Sequence, residues 1–160
     1  MTGVQTCALP ICVAFCVALS VVGCDSAPTG PQVDLTFVKE SGERTAILRV
    51  EVAATPEARA KGLSHRYHPG SNRGLLLMYP SPNEYLVSNE HVADPVDFAF
   101  VAPNGHLLGV ISDVPAGDDT PRTIGASSSA IIILGAGIAR QLGLSRGDMV
   151  MIQGQLPKVT

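Results

Sequence analysis

Asn89, Glu90, His91, Asp94 and Asp97 make the densest polar cluster beside an apolar strand in this chain. An imidazole among carboxylates can bind a metal or move protons. Such a set would suit an enzyme of hydrolase-like or metal-dependent type, or a binding site without catalysis. The plainer account is a solvated loop. In it Asp94-Pro95 starts a turn and Asp97 hydrogen-bonds to backbone. His65 and His68 stand at i and i+3, a spacing that shares a helix face, but Pro69-Gly70 follows at once and puts them in a loop. Arg66 and Arg73 could bind an anion in that region, or serve as ordinary surface charges.

A different chemistry belongs to Val21-Val22-Gly23-Cys24, a lipobox at the end of the uncharged run Ala8 to Gly23. A membrane peptidase cuts before a cysteine whose sulfur has been diacylated, and it needs the small residue in front. The expected product starts at Cys24 and hangs from a bacterial membrane by lipid, facing the periplasm or the exterior. The alternative is an uncut transmembrane anchor, but the run falls short of the roughly 20 residues a span needs. A secretory signal opens with Lys or Arg, and Met1 to Gly23 contains neither. Residues 1–11 resemble translated sequencing adapter, so a different upstream reading frame with a basic residue is expected. The expected organisation is a signal peptide over 1–23, a lipidated cysteine and flexible tether over 24–32, and one β domain over 33–156.

Other strings imitate known sites. Ala130 to Gly143 places Gly135-Ala136-Gly137 between a strand and a helix, like a dinucleotide fingerprint. The third glycine is replaced by Arg140, and too little chain follows for a second parallel strand with an acidic ribose partner. Arg146-Gly147-Asp148 spells an adhesion tripeptide but reads as a turn into the last strand. Ser127-Ser128-Ser129 lacks the flanks of a nucleophile elbow. All four cysteines lie at or before Cys24, which leaves the domain no thiol for a disulfide, a metal or a nucleophile. The net charge of −3 argues against nucleic acid, which wants a basic face. Without Trp, sugar-stacking platforms are scarce. No cofactor and no metal are expected.

Short strands must carry these residues. Val33, Leu35 and Phe37 alternate with Asp34, Thr36 and Val38, giving a strand with one buried face. Ala46 to Ala53 repeats the pattern after a turn at Ser41-Gly42-Glu43. Thr55-Pro56-Glu57 starts a helix. Thr55 caps it, Pro56 has no amide to waste, Glu57 suits the positive end, and Gly62 stops it. Leu75 to Tyr79 is a short apolar strand. Val96, Phe98 and Phe100 share one face of the next, and Ala99 and Val101 keep its other face apolar, so both sides should be covered. Asn104-Gly105 predicts a type I′ hairpin turn into Leu107 to Val114. Ala130 to Leu134 is another strand. Ile138 and Leu142 sit one turn apart on a short helix ended by Gly143, and Met149 to Gln153 closes the domain. Many short strands with two small helices predict a mostly β sandwich or barrel.

Val50-Glu51-Val52-Ala53, Thr55-Pro56-Glu57, Arg59-Ala60-Lys61-Gly62-Leu63 and Gly74-Leu75-Leu76 resemble the bacterial and archaeal family called domain of unknown function 192. So do Pro95-Val96-Asp97-Phe98-Ala99-Phe100-Val101, Leu134-Gly135-Ala136-Gly137, Leu142-Gly143-Leu144 and Gly147-Asp148. The likeness runs from about Val50 to Ile152. It implies a jelly-roll-like β fold with two short helices, often exported, and no agreed activity. The family usually carries an aromatic-Trp-Met-Lys-Asn stretch before the proline, where this chain reads Val87-Ser88-Asn89-Glu90-His91. The expectation is thus a lipid-anchored, non-catalytic binding or interaction module. Its partner would be a small molecule or an envelope protein. An enzyme using Asn89, Glu90, His91 and Asp97 on a small envelope substrate is the alternative. A scaffold in an envelope complex is a third reading and would show an exposed apolar patch.

Overall fold

The computed structural model describes residues 30–62 and 70–160. Its strands are β1 (Gln32–Val38), β2 (Leu48–Ala53), β3 (Arg73–Asn83), β4 (Val96–Val101), β5 (Leu107–Val114), β6 (Ser128–Gly135) and β7 (Met149–Gln153). Its helices are α1 (Pro56–Lys61) and α2 (Ile138–Gln141). The strands make one sheet in the order β5-β4-β6-β3-β2-β1-β7. This is the barrel-like alternative, because the sheet curls into a half-barrel instead of splitting into two facing sheets.

The curl brings the two edge strands together at one end. His106 bridges Met149, Leu107 N–H donates to Asp148 O at 2.8 Å, and Val150 N–H donates to Gly105 O at 2.8 Å. The His106 ring adds a contact of 2.8 Å from Nδ1 to Gly147 O. Asp148 is buried at this seam, pairs with Lys39 Nζ at 2.9 Å and accepts from Ser145 N–H at 2.9 Å. The Gly147-Asp148 turn therefore anchors the seam, and its carboxylate is not available to an outside receptor.

Every strand pairing is antiparallel except β2 with β3, which run parallel. A parallel neighbour needs a crossover, and α1 supplies part of it. Thr55 Oγ1 accepts from Ala58 N–H at 3.2 Å, Pro56 takes the first helical position, and Gly62 ends the helix at φ 46°. β6 is antiparallel to both of its neighbours, so Gly135-Ala136-Gly137 does not open a dinucleotide unit.

Alternation builds two cores. Val33, Leu35, Phe37, Val50, Leu76, Ala99, Ile132 and Leu134 point into the curl. Leu75, Leu77, Phe98, Phe100, Ile131 and Ile133 point outward from β3, β4 and β6. That outer face is covered by Ala58 of α1, by Tyr85, Val87 and Val92 before β4, and by Ile124 before β6. β4 is accordingly buried along its whole length, on both faces.

Two local expectations change. β3 runs on to Asn83 through Pro80 and Pro82. Its pairing with β6 jumps from Met78–Ala130 to Asn83–Ser128, and the prolines, which cannot donate to a ladder, occupy that irregular stretch. The turn after β4 is not type I′, because Asn104 does not take positive φ. Gly105 N–H donates to Ala102 O at 2.9 Å, Gly105 alone sits at φ 83°, and Ala102 N–H donates to His106 O at 2.8 Å. This is a longer turn with a glycine bulge, and Pro103 at its second position favours it.

Candidate functional site

A cleft of 280 Å³ opens over the outer face of β3, β4 and β6. Leu77, Phe98 and Ile133 form its floor, Arg59 and Tyr79 one part of its lining, and Leu86 to Val92 another. Of the sequence candidates, Asn89, Glu90 and His91 line it. Asp94 and Asp97 do not.

Asn89 is the most deeply buried member of the three. It is 1% exposed. Its Nδ2 donates to Asp94 O at 2.8 Å and Pro115 O at 2.8 Å, with Val114 O at 3.4 Å, and its backbone N–H donates to Asp118 O at 2.8 Å. Three carbonyls around one side-chain atom admit only the NH₂ group there, which fixes the amide orientation. Its Oδ1 is buried and has no hydrogen-bond partner among the described residues. A buried acceptor left alone costs about 1–3 kcal/mol.

Glu90 and His91 are different. Their side chains are 54% and 60% exposed, and His91 Nε2 lies 3.6 Å from Glu90 Oε1. They lie at the solvent side of the cleft and carry little of the fold. His91→Ala and Glu90→Ala should each shift stability by less than about 1 kcal/mol. Urea denaturation checks this, and a larger loss from His91→Ala would make it a structural histidine.

Asp97 is buried beneath the strand ends. Its Oδ1 accepts from Asp113 N–H at 2.8 Å and its Oδ2 from Ala139 N–H at 3.0 Å. It joins the end of β5 to the start of α2, which is the backbone-bonded reading of this residue. Asp94 contributes its carbonyl to Asn89. Arg73 lies at the far end of β3, opposite Arg49 in register, in a separate groove with Asp34, Ile47 and Asn72. Arg66, His65 and His68, like Cys24 and the tether through residue 29, lie outside the described residues.

Two cleft residues carried no site signal in the sequence. Arg59 Nη1 donates to Ala54 O at 2.9 Å and Met78 O at 2.8 Å, and its Nη2 to Thr160 O at 2.8 Å. Its guanidinium carbon stands 5.2 Å from the centre of the Tyr79 ring, and Tyr79 stacks on Tyr85 at 3.6 Å. Burial pushes the Tyr79 hydroxyl above its usual range, against a smaller opposing pull from Arg59, so it stays protonated at neutral pH. An arginine in a six-residue helix looks like a solvated charge until β3 is placed beside it.

The cleft segment is clipped from behind. Val87 and Arg122 exchange backbone hydrogen bonds at 2.9 and 2.8 Å, and Gly117 N–H donates to Val92 O at 3.1 Å. Arg122 also pairs with Asp118. Hydrogen bonds from Thr120, then from Arg122, hold the Asp118 carboxyl at about 2, below its ordinary 3.8. A depressed folded value means stability that is complete above the unfolded value and lost as pH falls towards the folded one. The stability advantage of wild type over Asp118→Asn should thus be full at pH 5 and shrink towards pH 2. Paired urea titrations measure it, and a gap that widens on acidification would refute the assignment.

A model of the family DUF192, described as Uncharacterized ACR, matches residues 36–152. Two solved structures share the fold. One is a Sinorhizobium meliloti 1021 protein provisionally named a transcription regulator, with TM-score 0.73, 21% identity, and coverage of 77% of this chain and 95% of that one. The other is a protein of unknown function from Novosphingobium aromaticivorans DSM 12444, with TM-score 0.71, 26% identity, and coverage of 78% and 92%. No curated protein matches the chain. At its identity, the Sinorhizobium likeness speaks to fold alone.

Proposed function

The chain belongs to the DUF192 family, an uncharacterised one, and from that premise we propose that it is a non-catalytic binding module whose ligand seat is the cleft over β3, β4 and β6. We propose further that lipid on Cys24 holds it to a bacterial membrane, facing the periplasm or the exterior. The observation that carries the binding reading is the cleft itself, an apolar floor of Leu77, Phe98 and Ile133 bordered by the buried Asn89, whose Oδ1 has no hydrogen-bond partner among the described residues. Small-molecule sites share this build, with mostly apolar linings and a few fixed polar groups. The enzyme alternative is weakened because Asp97 has both oxygens committed to backbone.

The binding reading is tested by nuclear magnetic resonance titration with a panel of small amides, alcohols, amines and acids. Shifts should concentrate on the Asn89 side-chain amide and on Ser88 to Val92. A panel that leaves those signals unmoved removes the proposal. The anchor is tested separately by expression with a complete signal, detergent partitioning and mass spectrometry of the mature amino terminus. Wild type should carry lipid and Cys24→Ser should not. An unmodified terminus at another residue would remove the lipoprotein reading.

A further inference from the structure

We infer that His106, Met149 and Met151 form a binding site for a soft monovalent ion, Cu(I), on the outer face of the sheet where its two edges meet. None of the three lines the cleft, so this site stands apart from the one proposed above. Register brings them together. His106 and Met149 are partners in an antiparallel bridge. The bonds from Leu107 N–H to Asp148 O and from Val150 N–H to Gly105 O flank that pair, which makes it a non-hydrogen-bonded one. Such pairs hold their Cα atoms only about 4.5 Å apart, with both side chains on one face and close together. Met151 follows two residues after Met149 and shares its face. It is diagonal to His106, at about 7–8 Å, a gap that long side chains span. Val150 and Ile152 turn the other way and pack on the inner core. Met149 is 40% exposed and Met151 half-buried, so both thioethers can reach an ion from solvent.

The hydrogen bonding of His106 is a second, independent argument. A carbonyl oxygen only accepts, so the contact of Nδ1 with Gly147 O at 2.8 Å places a proton on Nδ1. In the neutral ring this leaves the lone pair on Nε2. Metal-bound histidines are held in the same way, with the other ring nitrogen donating to a backbone carbonyl or carboxylate. The donor set then selects the ion. Two thioethers and a neutral imidazole bring no charge and no oxygen. Calcium and magnesium take oxygen ligands, and zinc takes thiolate, imidazole or carboxylate. Thioethers favour Cu(I). An ion held here also ties the turn before β5 to β7, across the contact that closes the curl.

The probe is Ag(I), which has the charge and softness of Cu(I) and is not oxidised by air. Cys7, Cys12, Cys16 and Cys24 are replaced by serine so that no thiolate competes, and all four precede the first described residue. The full chain, labelled at its methionine methyl groups, is titrated with Ag(I) and in parallel with Zn(II), followed by nuclear magnetic resonance. Ag(I) should shift the methyl signals of Met149 and Met151 and leave that of Met78, which packs on the inner core. It should also raise Tm, because the ion binds the folded chain. Met149→Leu and Met151→Leu keep side-chain volume, and the spectrum itself reports that the fold is intact. Each should weaken Ag(I) binding by about tenfold or more. Cu(I), supplied anaerobically with ascorbate and measured by competition with a coloured chelator, should show the same order of affinities. The inference is overturned if Ag(I) leaves the two methyl signals unmoved, if both leucine variants bind it as tightly as the parent, or if Zn(II) moves those signals equally.

Discussion

Replacing Phe98 by alanine should cost about 3–5 kcal/mol, the usual range for emptying an aromatic core site. Phe98 is 2% exposed and sits on the outer face of β4. Its strand is hydrogen-bonded on both sides, to β5 through Ile111 and to β6 through Ile133. Neighbours held by two ladders cannot collapse into the void, so the cavity cost is added to the lost transfer free energy. Urea denaturation gives the number. The same side chain is part of the cleft floor, so the mutant should also lose the titration shifts at Asn89. Leu86 offers the contrast. It lines the same cleft but is 64% exposed, and Leu86→Ala should stay within about 0.5 kcal/mol, as surface changes do. A Phe98→Ala variant as stable as wild type would mean that the outer core is loosely packed.

Asn89→Asp should produce the second large effect, and one that depends on pH. The substitution is nearly isosteric, yet it puts carboxylate oxygens where an NH₂ group now meets three carbonyls. A buried charge facing acceptors has nothing to compensate its desolvation, and about 3 kcal/mol or more should be lost at pH 7. Burial raises the folded pKa of the introduced carboxyl above its unfolded value near 3.9. The protonated form can donate to one of the carbonyls. The deficit should therefore be smallest below about pH 4 and grow as pH rises towards the folded value, levelling off beyond it. Asn89→Leu removes the hydrogen bonds without adding a charge and should show a deficit with little pH dependence. Parallel curves for the two variants between pH 3 and pH 7 would contradict the assigned amide orientation.

Local chemistry was readable because it is short in range. Val33, Leu35 and Phe37 declared a buried face by alternation alone, and Thr55-Pro56 with Gly62 marked both ends of α1. The double burial of β4 followed from apolar residues on both of its faces. What stayed hidden depends on partners distant in the chain. Nothing near Val52 announces that β2 lies parallel to β3 and antiparallel to β1. Pro80 and Pro82 argue against a strand unless a bulge opposite them is already known. Of the candidate site, the run from Asn89 to His91 was legible as a polar cluster. The separation of Asp97 from it was not decided by sequence, because β alternation does not say which face will be roofed by a loop. Arg59 and Tyr79 meet only through the β2–β3 crossover, so spacing could not have joined them.

The place of β1 in the sheet has a mechanical consequence. It is the first described strand, yet it is not an edge. It lies between β2, paired over Gln32 to Leu35, and β7, paired over Asp34 to Val38. A force on the chain before Gln32, directed along the strand, therefore shears two ladders together instead of peeling one bond after another. If that stretch of chain is fastened to a membrane, the pull of the anchor enters the molecule where its hydrogen bonds share the load in parallel. The same ties would resist a protease trying to draw the strand out from that end.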